Sequence, residues 1–191
     1  MSPDFLVNPA VFLIDTLFSL YIFAILLRFL FQWVDADYYN PISQFLIKIT
    51  HPPLRMFRRF IPSVGRVDTA SLVLMLGLQM LSGYLIFVLQ DTRITFAALS
   101  LWAVVQLLDL LFNVYFFAII IRAVLSWVSP GSYNPAVSLL YSLTEPLLRF
   151  SRRLLPPIGG IDLSPLIPLI GIQLAKMLVL PPLQQLTNLL N

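Results

Sequence analysis

Of the 191 residues, 59% are hydrophobic and only 11% are charged, where a soluble domain carries roughly 25% charged residues, and this excludes a water-soluble core. The net charge of +3 sits in short loops beside apolar runs, so membrane-surface phosphates are nearer partners than nucleic acid. With no cysteine the chain has no disulfide and no thiolate metal site, and zinc is disfavoured, since His51 is the single histidine.

Residues 1–10 contain Asp4 and no basic side chain, which is not the positive start of a cleavable signal peptide, so the first apolar run is expected to be retained. That run, Val11 to Val34, is long enough for a membrane core needing roughly 20 helical residues. Asn40-Pro41 then supplies an N-cap side chain and a proline at the first helical position. A short helix is expected there, with Ile42, Phe45, Leu46 and Ile49 as its apolar face. Pro52-Pro53 is expected to interrupt it, and Arg55, Arg58 and Arg59 follow at i, i+3, i+4 on one helical face. Gly65 and Asp68 end the connector, with Asp68 placed to cap the second span, Thr69 to Leu89.

A shift of 94 residues lays the second half on the first without a gap. Asp15 meets Asp109, Tyr21 meets Tyr115, Arg28 meets Arg122 and Trp33 meets Trp127. Tyr39-Asn40-Pro41 meets Tyr133-Asn134-Pro135, and Thr50 meets Thr144. Arg55, Arg58 and Arg59 fall on Arg149, Arg152 and Arg153, while Pro62, Gly65 and Asp68 fall on Pro156, Gly159 and Asp162. Gly77 and Gln79 fall on Gly171 and Gln173. From Asp15 to Leu81, 26 of 67 positions are identical, including Arg, Asp, Asn, Trp and Pro matches that shared apolar bias cannot supply. The chain is a tandem duplication, with units at residues 1–93 and 94–191. The second unit repeats the plan: a span from about Ala98 to Val128, a connector helix interrupted at Pro146, and a span from Leu163 to Leu180.

The expected fold is an all-α membrane protein of four transmembrane helices, a parallel repeat of two hairpins, each with an amphipathic connector lying in the interface. Eight of the twelve basic residues fall in the two connectors, which puts these in the cytoplasm and both termini outside.

The candidate site residues are the charges. Arg55, Arg58, Arg59, Arg149, Arg152 and Arg153 either bind anionic lipid headgroups or a protein partner, or only fix topology. Arg28 and Arg122 either snorkel to the headgroups or pair with Asp68 and Asp162. Asp15 and Asp109 are carboxylates in apolar spans, which are usually paired, protonated or facing water. Lys176 lies at the depth of Asp109 and is its expected partner, whereas its counterpart in the first unit is Ser82. Gly77 with Gln79 and Gly171 with Gln173 are candidates for close helix contact. Pro165 and Pro168 either bend the start of the fourth span or are tolerated in a first turn. No phosphate loop, nucleophile with a nearby histidine, or metal-spaced carboxylate cluster is present, so no catalytic site and no cofactor is expected.

The ordered motifs Arg-x4-Trp-Val, Tyr-Asn-Pro, Thr-x-Pro-x-Leu-Arg, Arg-Arg-x2-Pro and Gly-x2-Asp, each occurring twice, resemble the YggT family, also called YlmG. The likeness runs from about Asp15 to Gln90 and again from Asp109 to Leu180. It implies a bacterial inner-membrane protein without known catalysis, associated with membrane-protein or cytochrome assembly, cell division and nucleoid organisation, or tolerance of osmotic stress. The reading that follows is a non-catalytic scaffold or assembly factor with a membrane-protein partner or a second copy of itself. The rival is a small ion channel or transporter subunit, with Asp15, Asp109 and Lys176 along a polar path.

Overall fold

The computed structural model describes residues 4–65, 67–128, 134–154 and 162–191. Arg66, Tyr133, Pro156, Gly159 and the Trp127 side chain lie outside the described residues. Among the described residues six helices follow in order: α1 (Asp4–Trp33), α2 (Pro41–Arg58), α3 (Thr69–Leu89), α4 (Phe96–Val128), α5 (Pro135–Leu154) and α6 (Leu166–Leu190). Within α1, α3, α4 and α6, the stretches Val7–Trp33, Thr69–Leu89, Phe96–Ser126 and Leu166–Leu190 are long and apolar enough to cross a membrane, and most of each is not buried. The remaining apolar surface needs lipid around it, so this is a multi-pass membrane protein. Helix α1 packs on α3, α3 on α4, and α4 on α6, while α2 and α5 close the connector end.

The core lies at that end. Ile22, Ile25, Leu26 and Leu30 of α1 meet Leu54 of α2, Ala70, Leu74 and Met75 of α3, Ala118 of α4 and Leu143 of α5. Each connector is therefore part of the core of the bundle. The buried face of α2 is Ser43, Leu46, Thr50 and Leu54, rotated from the expected one, and Phe45 is 60% exposed. In α5 the buried residues are Leu139, Leu143, Thr144, Leu148 and Ser151.

The prolines do not interrupt the connectors. Helix α2 runs through Pro52 and Pro53, and α5 runs through Pro146. Pro53 has no N–H for the Ile49 carbonyl, and the Tyr21 hydroxyl donates to that oxygen at 3.1 Å, replacing the lost bond. Asn40 caps α2 as expected, its Oδ1 accepting from Ile42 N at 2.9 Å. Its Nδ2 donates to Pro135 O at 2.8 Å, joining the two connectors at their N-termini. At the opposite end the Thr95 hydroxyl donates to Leu190 O at 2.7 Å and accepts from Ala98 N, so it caps α4 and holds the end of α6. The fourth span extends past the expected Leu180, through Pro181 and Pro182, to Leu190. Gly65, at φ +60, forms the tight turn between the paired backbones of Val64 and Val67, a conformation glycine adopts without strain.

Gly77 and Gly171 do not make close helix contacts, since a Cβ at either would meet nothing within 4 Å. The close approach is at Gly83, where a Cβ would overlap the Trp102 ring and lie 3.1 Å from Leu99. Trp102 is fixed there by an edge-on contact with Phe87 at 5.7 Å. Gly83→Ala is expected to lower thermal stability in detergent by about 1–3 kcal/mol through overpacking of α3 on α4. Gly77→Ala should be neutral or stabilising by up to about 1 kcal/mol. Equal melting temperatures for the two variants would contradict this packing.

Candidate functional site

The arginine of each first span turns inward, onto its own connector. Arg28, only 9% exposed, donates from Nη1 to Thr50 Oγ1 at 2.8 Å. Arg122, 5% exposed, makes the same bond to Thr144 Oγ1 at 2.8 Å. Each threonine is fully buried and donates its own hydroxyl to the carbonyl four residues back, Leu46 O at 2.6 Å and Leu140 O at 2.7 Å. A hydroxyl donates once and can still accept, so this rotamer leaves a lone pair for the guanidinium. Arg28 and Arg122 therefore neither snorkel nor ion-pair with Asp68 and Asp162.

Those aspartates bind the middle arginine of each triplet. Arg58 Nη2 donates to Asp68 Oδ2, which also accepts from the Ser71 hydroxyl at 2.6 Å. Asp68 occupies the N-cap position of α3, but its carboxylate serves these two side chains. In the second unit Arg152 Nε is 3.6 Å from Asp162 Oδ2, and Asp162 Oδ1 accepts from Ser164 N at 2.9 Å. Because α6 begins at Leu166 with Pro165 at its N-cap, Asp162 does not cap that helix, and Pro168 sits in the first turn, where proline is tolerated. Burial pushes the Asp68 carboxyl up, but the hydrogen bonds from Arg58 and Ser71 outweigh it and hold the group below its ordinary range. Asp162 is also held low, burial being outweighed by its bonds from Ser164 and the charge of Arg152.

The triplets are thus split. Successive helical residues are about 100° apart, so Arg58 and Arg152, each with a side chain 37% exposed, reach the aspartates, while Arg55, Arg59 and Arg153 stand exposed and Arg149, 72% exposed, approaches Glu145 Oε1 at 4.0 Å. The two units then differ around the span arginine. Glu145 Oε2 accepts from Arg122 Nη2 at 2.7 Å and its Oε1 from Arg152 Nη1 at 3.1 Å. Burial pushes Glu145 up, and these two arginines bring it below the usual carboxylate range. The Tyr141 ring lies 4.2 Å from the Arg122 guanidinium carbon, close enough for a cation–π contact, and Tyr141 O accepts from Arg122 Nη1 at 3.2 Å. Position for position, the first unit has Ile47 and His51 there.

Within the spans, Lys176 Nζ stands 2.7 Å from Asp109 Oδ1 and donates to Asn113 Oδ1 at 2.7 Å. Asn113 Nδ2 donates to Asp109 Oδ2 at 2.9 Å. This three-membered polar contact joins α4 to α6, and a neutral amide between two charges satisfies both. Asp15 is exposed and makes no ion pair among the described residues. The sequence pointed to Asp109 and Lys176 but not to Asn113, Thr50, Thr144, Tyr141 or Glu145. The threonines stand 22 residues after their arginines, a separation with no helical period, so only a buried guanidinium's need for an acceptor signals them.

Lys176→Met leaves Asp109 with a weaker partner and is expected to lower stability by about 1 kcal/mol, the scale of interhelical polar contacts in membranes. Adding Asp109→Asn should restore part of the loss. An unchanged melting temperature in the single variant would show that the contact contributes nothing.

No solved structure matches the chain. Relatives include an uncharacterized protein of Pseudomonas aeruginosa, 43% identical over 95% of this chain and 93% of its own length. The uncharacterized protein YggT of Escherichia coli K12 is 37% identical over 96% of this chain and 95% of its own. YlmG homolog protein 2, chloroplastic, of Arabidopsis thaliana is 38% identical over 29% of this chain and 22% of its own. The CCB3/YggT family model matches twice, at residues 7–89 and 101–183, which are the two hairpins with their connectors. The chain belongs to the CCB3/YggT family.

Proposed function

We propose that the protein is a non-catalytic scaffold of the bacterial inner membrane, whose connectors lie on the cytoplasmic leaflet and recruit a membrane-protein partner. The reading is supported chiefly by the outward surface that both connectors share. Met56 and Phe60 stand exposed among Arg55 and Arg59, and their counterparts Phe150 and Leu154 stand exposed among Arg149 and Arg153. Apolar side chains interleaved with exposed cations suit an interfacial helix on anionic lipid, where each basic residue contributes about 1 kcal/mol. The inward arginines Arg58 and Arg152 have a different task, since their charges are bound to Asp68 and Asp162. Placement of both connectors in the cytoplasm, with the termini outside, follows from their basic residues.

The split within each triplet makes the test sharper. Replacing Arg55, Arg59, Arg149 and Arg153 by Gln should leave insertion and melting temperature unchanged while removing most of the partner recovered by crosslinking in intact membranes. Replacing Arg58 and Arg152 by Gln should instead lower stability. Undiminished partner recovery in the fourfold variant would refute recruitment through this surface, and ion flux in proteoliposomes would favour a channel or transporter subunit.

A further inference from the structure

The difference between the two units leaves an opening in the first. A half-open cleft of about 820 Å³ lies where α1 meets α2 and the turn at residues 61–63, and Arg28, Ser43, Ile47, His51, Arg58 and Asp68 are in its wall. Ser43, Ile47 and His51 follow one another at i, i+4 and i+8 on a single face of α2. On α5 the same positions are Val137, Tyr141 and Glu145. There the ring of Tyr141 and the carboxylate of Glu145 lie directly on Arg122. In the first unit Ile47 carries no ring and His51 no carboxylate, and Arg28 Nη2, the counterpart of the nitrogen that holds Glu145, has no partner among the described residues.

Two further atoms of the wall lack partners. Ser43 Oγ, in a side chain 6% exposed, and Asp68 Oδ1, in one 2% exposed, are buried without a hydrogen bond among the described residues. Buried polar atoms are rarely left so, and here a donor, Ser43, and an acceptor, Asp68, belong to residues that line the same cleft, each atom just beneath its surface. His51 adds a ring N–H donor in either protonation state.

We propose that this cleft binds the phosphodiester headgroup of a glycerophospholipid, its phosphate taking on Arg28 the place that the Glu145 carboxylate takes on Arg122. The phosphate oxygens accept from Arg28, Ser43 and His51, and a hydroxyl or ammonium at the end of the headgroup donates to Asp68 Oδ1. The Asp68 carboxylate also borders the cleft, beside Arg28 and Arg58. That balance suits one negative charge accompanied by a donor better than it suits inorganic phosphate, whose mean charge at neutral pH is more than one. Phe31, Leu46 and Ile61 give the same cleft an apolar wall for the glycerol and first acyl carbons. Arg28 lies five residues before Trp33 at the end of α1, about 8 Å along the helix, and this is the depth of a headgroup. The site is separate from the exposed arginines of the connectors, and its occupancy does not depend on them.

The test is lipid retention by the full chain in mild detergent, read by native mass spectrometry with added phosphatidylglycerol, phosphatidylethanolamine or phosphatidylcholine. The wild type should retain the glycerol or ethanolamine lipid over the choline lipid, which has no terminal donor. His51→Glu gives the first unit its own carboxylate and should reduce retention about tenfold, the effect of losing roughly one charge-assisted hydrogen bond, without lowering the melting temperature. Ile47→Tyr, which fills the cleft by bulk, should do the same and covers a folding defect in the first variant. Wild-type retention in both variants would overturn the proposal. So would displacement of the lipid by inorganic phosphate at equal concentration, which would make the ligand a free phosphate. Equal loss in the Arg55, Arg59, Arg149 and Arg153 variant would overturn it as well, since it would assign retention to surface charge.

Discussion

The buried guanidinium at the end of each first span organises the fold around it. An arginine within an apolar helix must find acceptors, since an unsatisfied polar group in a low-dielectric setting costs several kcal/mol. One turn on, Gln32 in α1 and Ser126 in α4 accept from neither guanidinium among the described residues. Thr50 and Thr144 do, and they do so only if the connector lies folded against its own hairpin. The apolar contacts of Leu54 and Leu148, both buried, then accompany the polar one. The Arg58–Asp68 and Arg152–Asp162 pairs fasten the far end of each connector to the start of the next span. What reads in sequence as a loop between two spans is a third helix of the bundle.

Duplication supplied the same frame twice, and the two copies then part at a few polar positions. In the second unit the frame is closed upon itself: Glu145 neutralises Arg122, Tyr141 covers it, and Lys176 meets Asp109 and Asn113 between α4 and α6. The first unit keeps Arg28 and Asp15 but has Ile47, His51, Ser19 and Ser82 where those partners stand. Identical positions mark what both hairpins need in order to fold. Positions that differ beside an invariant charge are the ones free to take on something else, and the connector end of the first unit has both the space and the unpartnered atoms.

Four apolar helices, two repeats and the family were legible in the sequence, because hydropathy and a gapless 94-residue register are properties of the chain alone. The Asp109–Lys176 pairing was legible too, from depth along two spans. Continuity of the connectors was not. Proline's cost is local, and the Tyr21 hydroxyl that relieves the Ile49 carbonyl is far away in sequence. Nor was the partner of Asp68: Arg28 and Arg58 both belong near that boundary, and only the packing of α2 shows that Thr50 has already engaged Arg28. The Arg triplets looked like one stripe because i, i+3 and i+4 share a helical side, yet the angle between Arg58 and Arg59 is enough to separate a charge that reaches Asp68 from one that does not.

The account rests on a direct coupling between the span arginine and the connector threonine, and a double-mutant cycle measures it. Unfolding free energies of Arg122→Met, Thr144→Val and the double variant, together with the wild type, isolate the pairwise contribution. A coupling of about 1–3 kcal/mol, the range for a hydrogen bond to a charged group, is the result the account predicts. Strictly additive losses would contradict it, and the connectors would then be held by apolar contact alone.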